Sequence, residues 1–171
     1  MMMNQTFDIP RVADVAVCDA VIENGDVVEI LQPIHLAADL SGDLDLYAES
    51  VAKFTHPQKY MHALHCYDTA VRAGGHKGFF ESGAGQLWRL ALEACQELGL
   101  RQHRMILLDA TLRLAGEPPM ARAERQRLLK NLSPRFDDLD KRVVATDLGT
   151  AISDYIAEHR VDFHFDGGVR H

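Results

Sequence analysis

The chain has 171 residues, 47% of them apolar and 25% charged, which suits one globular domain with its own core and argues against wholesale disorder. Its formal charge is −7, a poor basis for gripping a phosphate backbone or an anionic membrane, so neither direct nucleic-acid binding nor membrane binding is expected. No apolar run reaches membrane-span length, residues 1–11 lack the basic and apolar regions of a signal peptide, and Cys18, Cys66 and Cys95 show no C-x-x-C spacing; a cytoplasmic protein with reduced thiols is expected.

Residues 10–24 read as a helix, with Val12, Val15, Cys18 and Ile22 on one face and Gly25 as its stop. Residues 27–31 fit either a strand or a short helix interrupted by Pro33. Leu44, Tyr47, Val51 and Phe54 fall on one helical face, with Asp43 placed to cap its start. Tyr60, Leu64, Tyr67 and Val71 form the next stripe behind Pro57, a residue tolerated in a first turn, and Gly74-Gly75 supplies the stop. Leu87, Leu90, Ala91, Ala94 and Leu98 make a third stripe closed by Gly99. Residues 101–115 make a fourth, carrying Met105, Leu108 and Leu112 and ended by Gly116 and Pro118-Pro119.

Two more helices are predicted near 120–132 and 134–146. A last one near 147–160 carries Leu148, Ile152, Tyr155 and Ile156. Residues 161–165 alternate like a strand, but no partner strand is evident. The expectation is all-α: a single compact domain of about seven to nine short helices. An acidic helical segment, 1–56, packs on the same domain as a helical body, 57–165, and 166–171 is a tail.

The charge is unevenly placed. Residues 1–52 hold ten acids, Asp8, Asp14, Asp19, Glu23, Asp26, Glu29, Asp39, Asp43, Asp45 and Glu49, against the single base Arg11. Asp19 with Glu23, and Asp45 with Glu49, are like-charge pairs one helical turn apart, mildly unfavourable unless offset. An uncompensated field of this kind attracts basic surfaces. Asp14 and the eight acids after it are therefore the candidate partner-binding residues. The competing reading is a solvated face, or one neutralised in the fold by Arg101, Arg104, Arg113, Arg122, Arg125 and Arg127.

Six potential metal ligands lie between 56 and 76: His56, His62, His65, Cys66, Asp68 and His76. His62 and His65, three apart on a helix, could reach one ion, with His76 arriving from the following loop. The alternative packs His65 partly in the core and leaves His62 facing water. The glycine-rich residues 74–85 could cradle phosphate, but Lys77 precedes the relevant glycine and no strand leads in. A tight turn pinned by Phe79-Phe80 fits better. Cys66 and His65 are adjacent on a helix and do not face each other. No catalytic residue, cofactor or metal is assigned, and the chain is expected not to be an enzyme.

From Tyr67-Asp68 through Gly74-Gly75 to Phe79-Phe80 the chain resembles the domain family named after DNA mimic protein 19, whose hallmark is a Tyr-Asp helix running into Asn-Gly-Gly-Phe-x-Gln-Phe-Phe-x-Asn-Ser. Residues 91–99, 136–140 and 147–163 continue the resemblance, which spans about 57–165. Tyr67, Asp68, Gly74, Gly75, Phe79 and Phe80 carry its structural motif. Ala70 stands where glutamate is usual, Ala73 for asparagine, His76 for the aromatic and Gly78 for glutamine. The resemblance implies a helical protein, able to form a homodimer, whose acidic surface imitates duplex phosphates and occupies a basic DNA-binding protein. A helical metal protein or enzyme centred on His62, His65 and His76, or a plain interaction scaffold, remains the alternative.

Overall fold

The structure, a computed structural model, describes residues 12–170; Asp8 and Arg11 of the acidic segment lie outside them. The chain begins with strand β1 (Val12–Val17), then α1 (Asp19–Asn24), α2 (Val27–Ala37), α3 (Leu44–Ser50) and the long α4 (His56–Glu81). A 3-10 turn (Gly83–Leu87) leads into α5 (Trp88–Glu97), α6 (Arg101–Arg113), α7 (Arg122–Leu132), α8 (Asp137–Val144) and α9 (Leu148–Glu158). A second 3-10 turn (Arg160–Phe163) precedes strand β2 (Phe165–Arg170). The all-α expectation holds, with one small ribbon added.

Helix α4 is the axis of the domain and packs against α2, α5, α7, α8 and α9. Its start is fixed by a capping box: the Gln58 amide donates to Thr55 Oγ1, and the Thr55 amide donates to Gln58 Oε1. Met61, Leu64, Tyr67, Phe79 and Phe80 are fully buried along it, each worth about 1.5–3 kcal/mol of transfer free energy before the entropy of ordering it. Gly74-Gly75 does not end the helix but breaks it. Gly74 and Gly75 leave helical geometry, and Gly75 sits at φ +68°, ψ −177°, after which the chain resumes as residues 76–81.

Other expectations are corrected, and one left open is decided. Residues 10–24 are not one helix: Val12–Val17 is a strand paired antiparallel with Phe165–Arg170, Val12 opposite Arg170 and Val17 opposite Phe165. Thus the tail has a partner after all, and strand begins at Phe165 where alternation had suggested 161–165. A lone two-stranded ribbon is marginal in water; here Val17 and Val169 are buried and Phe165 stacks on Phe54 at 5.2 Å. Residues 27–31 belong to α2, which continues through Pro33 because Ile30, Leu31 and Ile34 bury together. On α6 the stripe Met105, Leu108, Leu112 faces outward (64%, 38% and 64% exposed), while Ile106, Leu107, Ala110 and Leu114 enter the core.

The glycine-rich stretch works by close approach. An added Cβ at Gly85 would lie 2.7 Å from Arg125 Nε and 2.8 Å from the Phe79 carbonyl. The glycine lets the buried Arg125 guanidinium pass, donating to the carbonyls of Phe80 (2.9 Å), Ser82 (2.7 Å) and Pro119 (2.9 Å). Arg125 engages no carboxylate among the described residues, and desolvation lowers its pKa to about 10.

Candidate functional site

The nine candidate acids divide by what holds them. Asp19 and Glu23 share a counter-ion from the far end of the chain: Arg160 Nη2 lies 3.2 Å from Asp19 Oδ1 and 2.8 Å from Glu23 Oε1. His164 Nε2 adds a contact of 3.0 Å to Asp19, and this bond, followed by that from Arg160, holds the Asp19 carboxyl below its ordinary pKa. Asp26 caps α2 by accepting from the Val28 and Glu29 amides, and Asp43 caps α3 from the Asp45 and Leu46 amides. Ser41 holds the Asp39 carboxyl below its ordinary pKa, first through its side chain and then through its amide, which donates to Asp39 Oδ1 at 2.9 Å. Asp14 is exposed on β1 opposite Gly168. Glu29, Asp45 and Glu49 are exposed and make no side-chain hydrogen bond or ion pair among the described residues.

Neutralisation by the arginine-rich stretch, the competing sequence reading, does not occur among the described residues. Arg113 instead bridges Asp109 (3.1 Å) and Asp138 (2.6 Å), which pulls the Asp138 carboxyl down to about 2. Arg122 donates to the Glu81 carbonyl and Arg125 to the carbonyls above. The groups that do meet these acids, Arg160 and His164, lie more than a hundred residues away from α1, beyond the reach of any local pattern.

Between the end of α2 and α3 lies an open groove of about 780 Å³, walled by Leu36, Asp39, Leu46, Glu49, Ser50 and Lys53. Lys53 does not answer its carboxylates: the ammonium donates to the Gly168 carbonyl at 2.8 Å and lies over the Phe165 ring at 5.2 Å. Exposed Val28, Leu44 and Leu46 interleave with the acids. The segment is anchored to the body through Gln86, whose amide nitrogen donates to the Asp39 carbonyl at 2.9 Å.

The histidines do not converge as the spacing suggested. His62, which the alternative reading leaves facing water, is fully buried, and His65 is partly buried, as that reading expects. Desolvation lowers the His62 pKa to about 3. His62 Nε2 meets Cys66 Sγ at 3.4 Å, and His35, from the last turn of α2, brings its ring centroid to 5.7 Å from that of His62. The donor atoms of His35, His62 and Cys66 all lie within 4.8 Å of one another. His35 was missed because it sits on another helix; the i, i+4 spacing of His62 and Cys66 was the available signal. His56 is exposed beside Tyr60, and Asp68 holds Arg72 at 2.9 Å.

His76 belongs elsewhere. Its ring is fully buried between Tyr67 and Asp140: Tyr67 Oη lies 2.8 Å from Nε2, and Nδ1 meets Asp140 Oδ1. A carboxylate only accepts, so Nδ1 carries the proton and Tyr67 donates to Nε2. Every polar atom of the ring is satisfied, and the buried Tyr67 and His76 give it no open face. This relay ties α4 to α8 and is structural.

A family model described as DMP19-like protein matches residues 52–159, well over half of the chain. No curated protein and no solved structure matches it. The matched span holds Tyr67, Gly74, Gly75, Phe79, Phe80 and Asp140, whereas the acids at 14–49 precede it. No helix among the described residues is long and apolar enough to cross a membrane.

Proposed function

This chain belongs to the DMP19-like protein family, and from that premise we propose that it is a non-enzymatic protein-binding domain whose acidic surface at residues 14–49 occupies a basic DNA-binding protein. One observation carries the reading: Glu29, Asp45 and Glu49 stand exposed without counter-ions among the described residues, while Arg113, Arg122 and Arg125 engage other groups. The groove between α2 and α3 suits an arginine side chain, its stem along Leu36 and Leu46 and its guanidinium against Asp39 and Glu49. Exposed leucines among carboxylates fit a protein-binding face better than a merely solvated one, since docking needs apolar area as well as charge. On such a face carboxylates stand in for phosphates and meet the partner's Lys and Arg.

Pull-down at low salt from a lysate tests this, followed by competition with duplex DNA. A basic DNA-binding protein is expected, retained at low salt, released at high salt and displaced by DNA. Recovery of nothing, of acidic proteins alone, or of a partner that DNA does not displace overturns the reading.

A further inference from the structure

We propose that His35, His62 and Cys66 form a zinc site, with two imidazoles and one thiolate as ligands and the fourth position open to water at the exposed His35 edge. The convergence of three donors from two helices points to the site. Two ligands share a face of α4 one turn apart and the third arrives from α2, so the set is built by tertiary packing. All three donor atoms fall within 4.8 Å of one another, and the 3.4 Å between His62 Nε2 and Cys66 Sγ is about the separation of two ligands bound to one tetrahedral zinc.

His62 is fully buried, and its Nδ1 has no hydrogen-bond partner among the described residues. A neutral imidazole carries one proton, so with only the sulfur as neighbour one of its two polar atoms stays orphaned, a costly arrangement in a core. Zinc on Nε2 would engage that nitrogen together with Cys66 Sγ and fix the remaining ring proton on Nδ1.

The donor set selects the metal. Two nitrogens and a sulfur suit zinc, whereas calcium and magnesium require oxygen. On binding, the Cys66 S–H bond breaks and the sulfur's electron pair goes to zinc; the proton leaves to solvent, and two neutral imidazoles donate lone pairs without losing protons. The bound ion would clamp α2, which carries Glu29 and leads to the acidic groove, onto α4. His35 precedes the family-matched span and His62 and Cys66 lie within it. The proposal is thus independent of the identity of any protein partner.

Cobalt titration of the full chain in a Cys18→Ser background tests it, because the exposed Cys18 thiol is then absent. Expected is one equivalent of cobalt giving visible bands of tetrahedral intensity with a sulfur-to-cobalt charge-transfer band, both erased by one equivalent of zinc. Cys66→Ser should abolish the charge-transfer band. His35→Asn, on an exposed side chain that can change without unfolding the core, should weaken zinc binding by at least about tenfold. His65→Ala, outside the cluster, should leave the bands unchanged. Absence of the charge-transfer band in the parent, its persistence in Cys66→Ser, or undiminished zinc affinity in His35→Asn overturns the site.

Discussion

Asp140 Oδ1 accepts two hydrogen bonds from His76, one from the ring Nδ1–H and one from the backbone amide at 2.9 Å, across sixty-four residues of chain. One carboxylate thereby caps the helical turn that restarts after the Gly74-Gly75 break and sets the tautomer that receives Tyr67. The family-like glycine pair serves this contact. Gly75 adopts a backbone conformation open essentially to glycine alone, and an added Cβ there would lie 2.9 Å from Asp140 Cγ.

Asp140→Ala should therefore destabilise the domain by about 2–4 kcal/mol, since it removes a cap and leaves a buried ring N–H unmatched. Tyr67→Phe, which strands only Nε2, should cost about 1–2 kcal/mol. Gly75→Ala should cost about 1–3 kcal/mol from backbone strain, with more for displacing the carboxylate. In urea denaturation the double variant Gly75→Ala/Asp140→Ala should lose less than the sum of the single losses, because the displaced carboxylate is already gone. Strict additivity would mean that Asp140 does not sit on Gly75.

Arg125 offers a second test of how the glycines work. Its guanidinium satisfies the carbonyls of Phe80, Ser82, Pro119 and Met120 from one buried position. Arg125→Met keeps length and removes all donors, so at least about 3 kcal/mol of stability should go. Arg125→Lys should recover only part of it, because a point-like ammonium cannot reach four divergent carbonyls. Equal stability of Lys and Arg in thermal denaturation would refute the planar clip.

Most of the helical body is legible in the sequence because its signals are local. Asp43, Pro57, Gly99 and Gly116 mark ends where the chain does start or stop helices, and the stripe Tyr60, Leu64, Tyr67, Val71 lies on the α4 face that packs inward. The ribbon is not legible: Val12, Val15 and Cys18 satisfy a helical period, and Gly167-Gly168 weakens strand alternation in a partner some 150 residues away. Helix α6 has apolar residues on two faces, so periodicity alone allowed Met105, Leu108 and Leu112 inward. The candidate site fares similarly. The acids were readable as a composition, but their sorting into capped, paired and free depended on Arg160 and His164, and His35 joined His62 only through packing.

Acid should weaken the fold before its carboxylates titrate. Burial holds the pKa values of His76 and His103 below their ordinary 6.5, in His76 against the pull of Asp140 and in His103 against that of Asp68. The unfolded chain takes up protons at 6.5 while the folded one resists, so the stabilisation is present above 6.5 and is lost as pH falls through 6.5 toward the folded values. The urea midpoint, measured with a chelator present, should drop between about pH 7 and pH 5. His103→Gln can still donate to Thr146, the partner at 2.8 Å, and does not titrate, so its decline should be shallower. A flat midpoint across that window in the parent would contradict the burial of these rings.

The sorting of the acids makes the sharpest prediction about binding, because two like-charge pairs of equal formal charge and equal helical spacing differ in what holds them. Asp19 and Glu23 are already engaged by Arg160, whereas Asp45 and Glu49 make no ion pair among the described residues. Asp45→Asn/Glu49→Gln and Asp19→Asn/Glu23→Gln change the net charge by the same amount, and neither removes a helix cap. Exposed charge pairs contribute about 0.2–1 kcal/mol each. Removal of the free pair should thus weaken binding of an arginine-rich peptide several-fold at low salt, by up to about tenfold. The engaged pair should change it by less than about twofold, since a peptide arginine must first displace Arg160. The contrast should fade at high salt as screening shortens the reach of the free carboxylates. Equal weakening by the two variants in a fluorescence titration would show that net charge alone attracts the peptide, and no weakening from Asp45→Asn/Glu49→Gln would remove α3 from the binding face.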